Sequence, residues 1–386
     1  MEGFLDIFQS SVNRHGEELC GDQTQVLKTP GMTTMVLSDG LGSGVKANIL
    51  ATLTTEIITT MLRSEVELGE VIETVIRTLP VCKERRIAYS TFTILQINHA
   101  DSTFKVTNFD NPEPFFFHNG KVVRLERTSE KIHKKTISFS TGKLEMGDFI
   151  GLVSDGVLYA GLGTTMNFGW GWENVAAFLE EAFGDRVFAS HSVVNAVMNA
   201  TSRLYDWKPG DDATFMGVLM RKRNDLFVFT GPPLDKGFDY VQVDKLLDFT
   251  GRKVVCGGTT ANIVASFLKT KVETVMSSLE SDIPAIGTLP GIDLVTEGIL
   301  TLARTMDLLE ASGGALDKLE IAKNGAYLLA RELLSADSVH FLVGQSINPF
   351  YQNPLLPKNI SIRSYLVDRI AKILIGFHKD VVIEFC

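Results

Sequence analysis

Apolar positions recur along this chain with two different periods, and the changes of period divide it. In VELGEVIETVIRTL (66–79), Leu68, Val71, Ile72, Val75 and Leu79 share one face at helical spacing. The preceding ANILATLTTEIITTML also fits a helix, with Ile49, Leu53, Ile57 and Met61 aligned, although its β-branched threonines are weaker helix formers. The period then shortens. STFTILQIN, STFKVTNF, PFFFHNGKVVRL and DFIGLVSDG predict strands, with Asn119-Gly120 as a two-residue hairpin turn. Helical stretches near 172–183 and 187–205 and a strand at 213–220 follow. Helices, several antiparallel strands and more helices predict a sheet sandwich flanked by helices over residues 1–222.

From about residue 225 the order changes to alternation. KVVCGGTTANIVASFL and GIDLVTEGILTLARTMDLL each predict a short strand, a loop and a helix, and SVHFLVGQSINPF a strand and a loop. ISIRSYLVDRIAKILIGFHKDVVIEF closes the pattern as strand, helix, strand. Such alternation predicts a separate, smaller α/β domain over 225–386, with the boundary near RKRNDLF. A chain of 386 residues fits two domains better than one core.

Composition narrows the class. With 45% hydrophobic and 22% charged residues the chain reads as soluble and globular. A formal net charge of -9 and the lack of a basic stripe argue against nucleic acid as partner. Cys20, Cys82, Cys256 and Cys386 show no CxxC spacing, which suits a reducing compartment and offers no zinc site. MEGFLDIFQS does not read as a signal peptide, and no apolar run approaches the roughly 18 residues of a membrane span. The expectation is a cytoplasmic protein.

The candidate chemistry is carboxylate. Asp39 in VLSDG and Asp155 in LVSDG each follow an apolar run in the same Ser-Asp-Gly setting, and Asp211-Asp212 leads into ATFMGVLM. A single Asp-Gly after a strand is most simply a turn. Repeated at several strand ends, such acids gain a cation as the natural offset to their mutual repulsion. Oxygen donors without neighbouring His or Cys favour Mg²⁺ or Mn²⁺ over Zn²⁺. Gly40, without a side chain, lets its carbonyl approach an ion. Two such ions about 3.5–4 Å apart activate water for in-line attack at phosphorus without a protein nucleophile.

ELCGDQTQV, VLSDGLGSGVKANILATL, MGDFIGLVSDGV and PGDDATFMGVLM occur in the order and approximate spacing found in metal-dependent PPM-type serine/threonine phosphatases. Residues 10–222 most resemble the bacterial branch typified by the stage II sporulation E phosphatase. The resemblance implies an α+β fold, an αββα sandwich, carrying two Mn²⁺ or Mg²⁺ ions at one end of its sheets. It implies Asp39 as the bridge between the ions, the Gly40 carbonyl as a ligand of one, and Asp155 and Asp211 as ligands of the other. Asp22 is implied in catalysis through water, and Asp212 as an alternative ligand or the holder of a third ion. The implied reaction is hydrolysis of phosphoserine or phosphothreonine in a protein substrate, among relatives an anti-sigma-factor antagonist. The element over 45–62 is implied as a switch acting on the Asp39 turn. The chain departs from the family pattern at LGSG, at KKTISFSTGKLEMGD and at NFDNPEPFFF, which touches substrate recognition and leaves the metal carboxylates in place. A catalytically silent regulator or ligand-binding protein on the same fold is the alternative.

Three remaining features have simpler accounts beside functional ones. The scattered histidines suit a solvated surface, FGWGW a core edge, and Phe115–Phe117 a buried strand. CGGTTANI is a strand-to-helix turn rich in bare amides, so Gly257, Gly258, Thr259 and Thr260 are candidates for binding a small anion. Capping by Thr259 or Thr260 explains the same residues.

Overall fold

In this computed structural model, residues 3–78, 90–133, 135–163, 165–184, 189–275, 285–314, 316–319, 322–346, 362–377 and 379–386 are described. Leu79, Cys82 and the expected loop and strand at 347–361 lie outside them. The chain divides into two compact units, Met1–Lys222 and Arg223–Cys386.

The first unit contains two antiparallel sheets. One has the order β1 (Phe4–Val12), β11 (Ala213–Arg221), β10 (Phe149–Val153), β6 (Phe115–His118), β7 (Lys121–Val123). The other runs β2 (Asp22–Lys28), β3 (Met32–Gly40), β4 (Ser90–Asn98), β5 (Thr103–Phe109), β9 (Lys135–Lys143), β8 (Thr128–Ile132). Side-chain alternation explains how they stack. Phe116, Ile150, Leu152, Met216 and Val218 meet Met35, Leu37, Leu95 and Val106 between the sheets. Phe115, Phe117, Phe149 and Phe215 point the other way and pack on α4 (Gly171–Gly184) and α5 (Ser190–Leu204). On the opposite outer face, Val36, Phe92 and Ile94 pack on α1 (Gly44–Arg63) and α2 (Leu68–Thr78). The result is an αββα sandwich. Asn119 and Gly120 turn β6 into β7 with φ of 50° and 82°, the left-handed pair that a tight hairpin needs.

The face of α1 differs from the expected one. Ile49 and Leu53 are exposed, and the buried residues are Gly44, Ala47, Ala51, Thr54, Thr55, Ile58 and Thr59. Small side chains let this helix lie close against β2 and β3. The threonine hydroxyls bond back into the helix, Thr54 to the Leu50 carbonyl at 2.8 Å and Thr59 to that of Thr55 at 2.9 Å, so they are tolerated there. Trp170 is buried in the outer core, and Trp172 stacks on Phe115 at 5.0 Å while Arg124 lies 3.9 Å over its ring. The tryptophans therefore sit at a core edge.

The second unit is a sheet covered on both faces by helices. Its order is β14 (Glu273–Val275), β15 (Ile286–Leu289), β16 (Ile292–Thr296), β13 (Arg252–Cys256), β12 (Asp225–Thr230), β17 (Ser338–Val343), β18 (Asp380–Phe385). The run from β16 to β18 is parallel, and β14 and β15 add an antiparallel edge. Phe227, Phe229 and Val255 face α6 (Asp239–Asp248) and α7 (Gly258–Phe267). Leu226, Val228 and Val254 face α8 (Ile299–Ser312), α9 (Gly325–Ser335) and α10 (Ile362–Gly376). Ile362, expected in a strand, opens α10. No helix among the described residues is long and apolar enough to cross a membrane.

Candidate metal centre

The two Ser-Asp-Gly copies adopt different structures. Ser38-Asp39-Gly40 completes β3, whereas Asp155 and Gly156 begin the short helix α3 (Asp155–Leu158) after β10. The shared motif therefore encodes a carboxylate beside a close backbone approach rather than one turn. A Cβ on Gly40 would overlap the Ala47 carbonyl oxygen of α1, and a Cβ on Gly156 would overlap the Asp212 carbonyl oxygen. A Cβ on Gly21 would press on the Asp212 carboxylate and on Ala47. These approaches gather the ends of β2, β3, β10 and β11 at one end of the sandwich.

Five carboxylates meet there. Asp22 and Asp39 are cross-strand partners in the β2–β3 register. Burial pushes the Asp39 carboxyl up to about 9, with the charges of Asp22, Asp155, Asp211 and Asp212 adding to the shift. Asp22 is pushed up to about 7, again by burial, against the nearby hydroxyls of Ser154 and Thr214 and with Asp212 and Asp155 raising it further. Burial and then Asp211 bring Asp155 up to about 6. Asp211 is raised by burial, while Arg14 pulls it back. Asp155 thus feels Asp211 most among its charged neighbours, and Asp22 feels Asp212.

Hydrogen bonding leaves part of this cluster unsatisfied. Neither Asp22 oxygen has a partner of ordinary geometry among the described residues, nor does Asp212 Oδ2. Asp212 Oδ1 accepts from the Arg14 backbone at 2.9 Å, and Asp211 Oδ1 accepts from the Asp212 backbone at 3.0 Å. Buried acceptors without donors are costly and call for a cation or water. An all-oxygen donor set suits a hard divalent ion. Among the described residues, no three or more acidic, His or Cys side chains are already closed around a common point.

Sequence reasoning missed the supporting residues. Arg14 donates to Ser43 Oγ at 3.3 Å, and Ser43 donates to Glu17 at 3.1 Å, tying the segment before β2 to the N-terminus of α1. Tyr205 donates to the Gly156 carbonyl at 2.7 Å, and Asn48 to that of Cys20 at 2.7 Å. None has a local sequence signature, since each contact joins distant segments. Three of the histidines pair elsewhere: His118 with Asp148 at 2.9 Å, His133 with Glu73 at 2.8 Å, and His99 with Thr33 at 2.8 Å. Gly257, Gly258, Thr259 and Thr260 lie in the second unit, at the β13–α7 turn.

An αββα sandwich with an acidic cluster at its sheet ends defines the PPM-type phosphatase fold class. A sequence profile of the Stage II sporulation protein E (SpoIIE) family matches residues 29–221, half of the chain, and the chain belongs to that family. No curated protein matches it. Similar solved structures include the PP2C phosphatase domain with a regulatory fragment of the cell fate determinant SpoIIE from Bacillus subtilis, at 16% identity and a TM-score of 0.48. That match covers 57% of this chain and 62% of the other, so this chain spans less than two thirds of that relative. The RsbU and RsbW domains of a Mycobacterium tuberculosis protein match at 17% identity and a TM-score of 0.48, covering 64% of this chain and 67% of that one. RsbX in complex with magnesium matches at 18% identity and a TM-score of 0.42, covering 57% and 96%.

Proposed function

We propose that residues 1–222 are the phosphatase domain of a metal-dependent protein serine/threonine phosphatase, acting on phosphoserine or phosphothreonine in a protein substrate. The observation that carries this reading is the cluster of mutually repelling, buried carboxylates, with oxygens of Asp22 and Asp212 that have no partner among the described residues. Asp39, the Gly40 carbonyl, Asp155 and Asp211 would hold two Mn²⁺ or Mg²⁺ ions. When bound, the ions supply Lewis-acid charge to the phosphoryl group and lower the pKa of water.

The chain's own residues prepare the site. The close approaches at Gly40 and Gly156 fix the backbone that carries Asp39 and Asp155. Asp22, beside Asp39, would orient water by accepting a hydrogen bond from it. Asp211, half-buried, is better placed than Asp212 to share an ion with Asp155, because it is the charge that raises Asp155, whereas Asp212 acts chiefly on Asp22. Arg14 is a cation at the mouth of the cluster, suited to a phosphate dianion. The family resemblance supports a small phosphorylated regulator, an anti-sigma-factor antagonist, as substrate.

The test is phosphate release from a phosphoserine peptide by the full chain, with Mn²⁺, with Mg²⁺ and with EDTA. Metal-dependent release that Asp39→Asn abolishes is expected. Release that survives EDTA, or is unchanged in Asp39→Asn, refutes the reading.

A further inference from the structure

The parallel strands of the second unit, taken in chain order β12, β13, β16, β17, β18, lie in the spatial order 3-2-1-4-5. The connections leaving β12 and β13 pack on one face and those around β17 on the other, so the topology reverses between β12 and β17. In open α/β sheets, ligands bind outside the carboxyl ends of the strands at such a point. A cleft of about 610 Å³ lies here, in the size range of small-molecule sites. Pro232 to Leu234 after β12, Ser346 after β17, and the facing sides of α6 and α7 form its walls.

Several independent features of this edge point to a ligand. The first turn of α7 opens on Gly257, with φ 122°, and no side chain caps it. Thr260 is fully buried in that turn, its Oγ1 faces Gly257, and it has no partner among the described residues. Capping by Thr260 is therefore excluded as the account of the GGTT sequence. The N-terminus of α8 abuts the same turn, since Gly298 packs against Gly257 Cα, and it too lacks a side-chain cap. Thr230, at the end of β12, and Thr301, in the first turn of α8, are also fully buried, and their hydroxyls have no partner among the described residues. Two uncapped helix N-termini and buried hydroxyls favour an anion. Within the cleft, Asp239 Oδ1 is a buried acceptor without a donor among the described residues, and Tyr240 packs against Phe267 at 5.2 Å.

We propose that this cleft binds a nucleotide. Its phosphate sits at the N-terminus of α7, its flat ring lies along Tyr240 and Phe267, and a hydroxyl or amino group donates to Asp239. The first turn of α7, which reaches the cleft at Thr259, then bonds the phosphate through its free amides and Thr260, Asp239 accepts a hydrogen bond, and the half-exposed aromatic pair is covered. Lys236 on the cleft rim adds charge attraction. Glu297, whose Oε2 is buried and unpartnered near Arg363, sets a limit on how far negative charge extends toward β16.

The test measures binding of ADP, GDP, their nucleosides and pyrophosphate to the full chain by calorimetry in EDTA, which removes any metal-bridged binding at the carboxylate cluster of the first unit. Thr259→Glu is the decisive variant: Thr259 is exposed, and an acid in a first helical turn favours the helix while repelling an anion. The expected result is that one nucleotide binds at least about tenfold tighter than its nucleoside, and that Thr259→Glu removes this advantage with its thermal midpoint unchanged. Tyr240→Ala weakens nucleotide and nucleoside alike and leaves pyrophosphate unaffected. No binding of either nucleotide below about 1 mM, equal binding of nucleotide and nucleoside, or undiminished binding by Thr259→Glu overturns the proposal. The readout is binding without metal, so its failure leaves the phosphatase reading untouched.

Discussion

Replacing Asp39 by Asn is expected to stabilise the metal-free protein at neutral and alkaline pH and to lose that advantage in acid. The Asp39 carboxyl titrates at about 9 in the folded chain against an ordinary 3.8. Between these values the unfolded chain has released a proton that the folded chain keeps, so stability falls as pH rises. Each unit costs about 1.4 kcal/mol, which sets a ceiling of about 5 kcal/mol near pH 7.5 and about 1.6 kcal/mol near pH 5. The Asn amide, buried without full hydrogen bonding, returns about 1–3 kcal/mol of that gain. The net gain is at most about 2–4 kcal/mol near pH 7.5, a ceiling equivalent to at least about 4 °C in the midpoint of a unit this size, and nothing or a small loss near pH 5. All three tryptophans, Trp170, Trp172 and Trp207, lie in the first unit, so tryptophan fluorescence in EDTA follows its unfolding alone. A difference between the two proteins that stays constant from pH 5 to pH 8 would refute the reasoning, because only proton linkage makes it grow.

Added Mn²⁺ should raise the fluorescence midpoint of the native chain near pH 7.5, by about 2.7 kcal/mol at a hundredfold excess over the dissociation constant; Asp39→Asn should not respond. Asp211→Asn should lose metal-dependent phosphate release by more than about a hundredfold, whereas Asp212→Ala, which removes the acceptor of the Arg14 backbone, should chiefly lower the thermal midpoint. Comparing kcat and midpoint for the pair separates the roles. Gly156→Ala forces a methyl into the Asp212 carbonyl and should cost more than about 2 kcal/mol, read by denaturant unfolding. Phe115→Ala, which opens a cavity beneath Trp172 in the outer core, should cost about 3–5 kcal/mol and shift tryptophan emission.

Elements with strong local patterns are legible in the amino-acid sequence by itself. The alternating runs of β4 and β5, the continuous apolar run of β10, the Asn119-Gly120 hairpin and the apolar face of α2 all follow from short-range rules, as does the change to strand–helix alternation after residue 222. The acids at strand ends are visible for the same reason, as repeated Ser-Asp-Gly and an Asp pair. Tertiary structure decided what local sequence underdetermines. It turned α1 so that alanines and threonines, rather than Ile49 and Leu53, face the sheet, because the close approach at Gly40 admits only small side chains. It made one Ser-Asp-Gly a strand end and the other a helix start. It left Thr230, Thr260 and Thr301 buried without partners among the described residues at one edge of the second sheet, although they are far apart in sequence. Periodicity reports which side of an element is apolar. Which element presses against it, and which buried oxygens are left without a donor, depends on contacts between residues scores of positions apart.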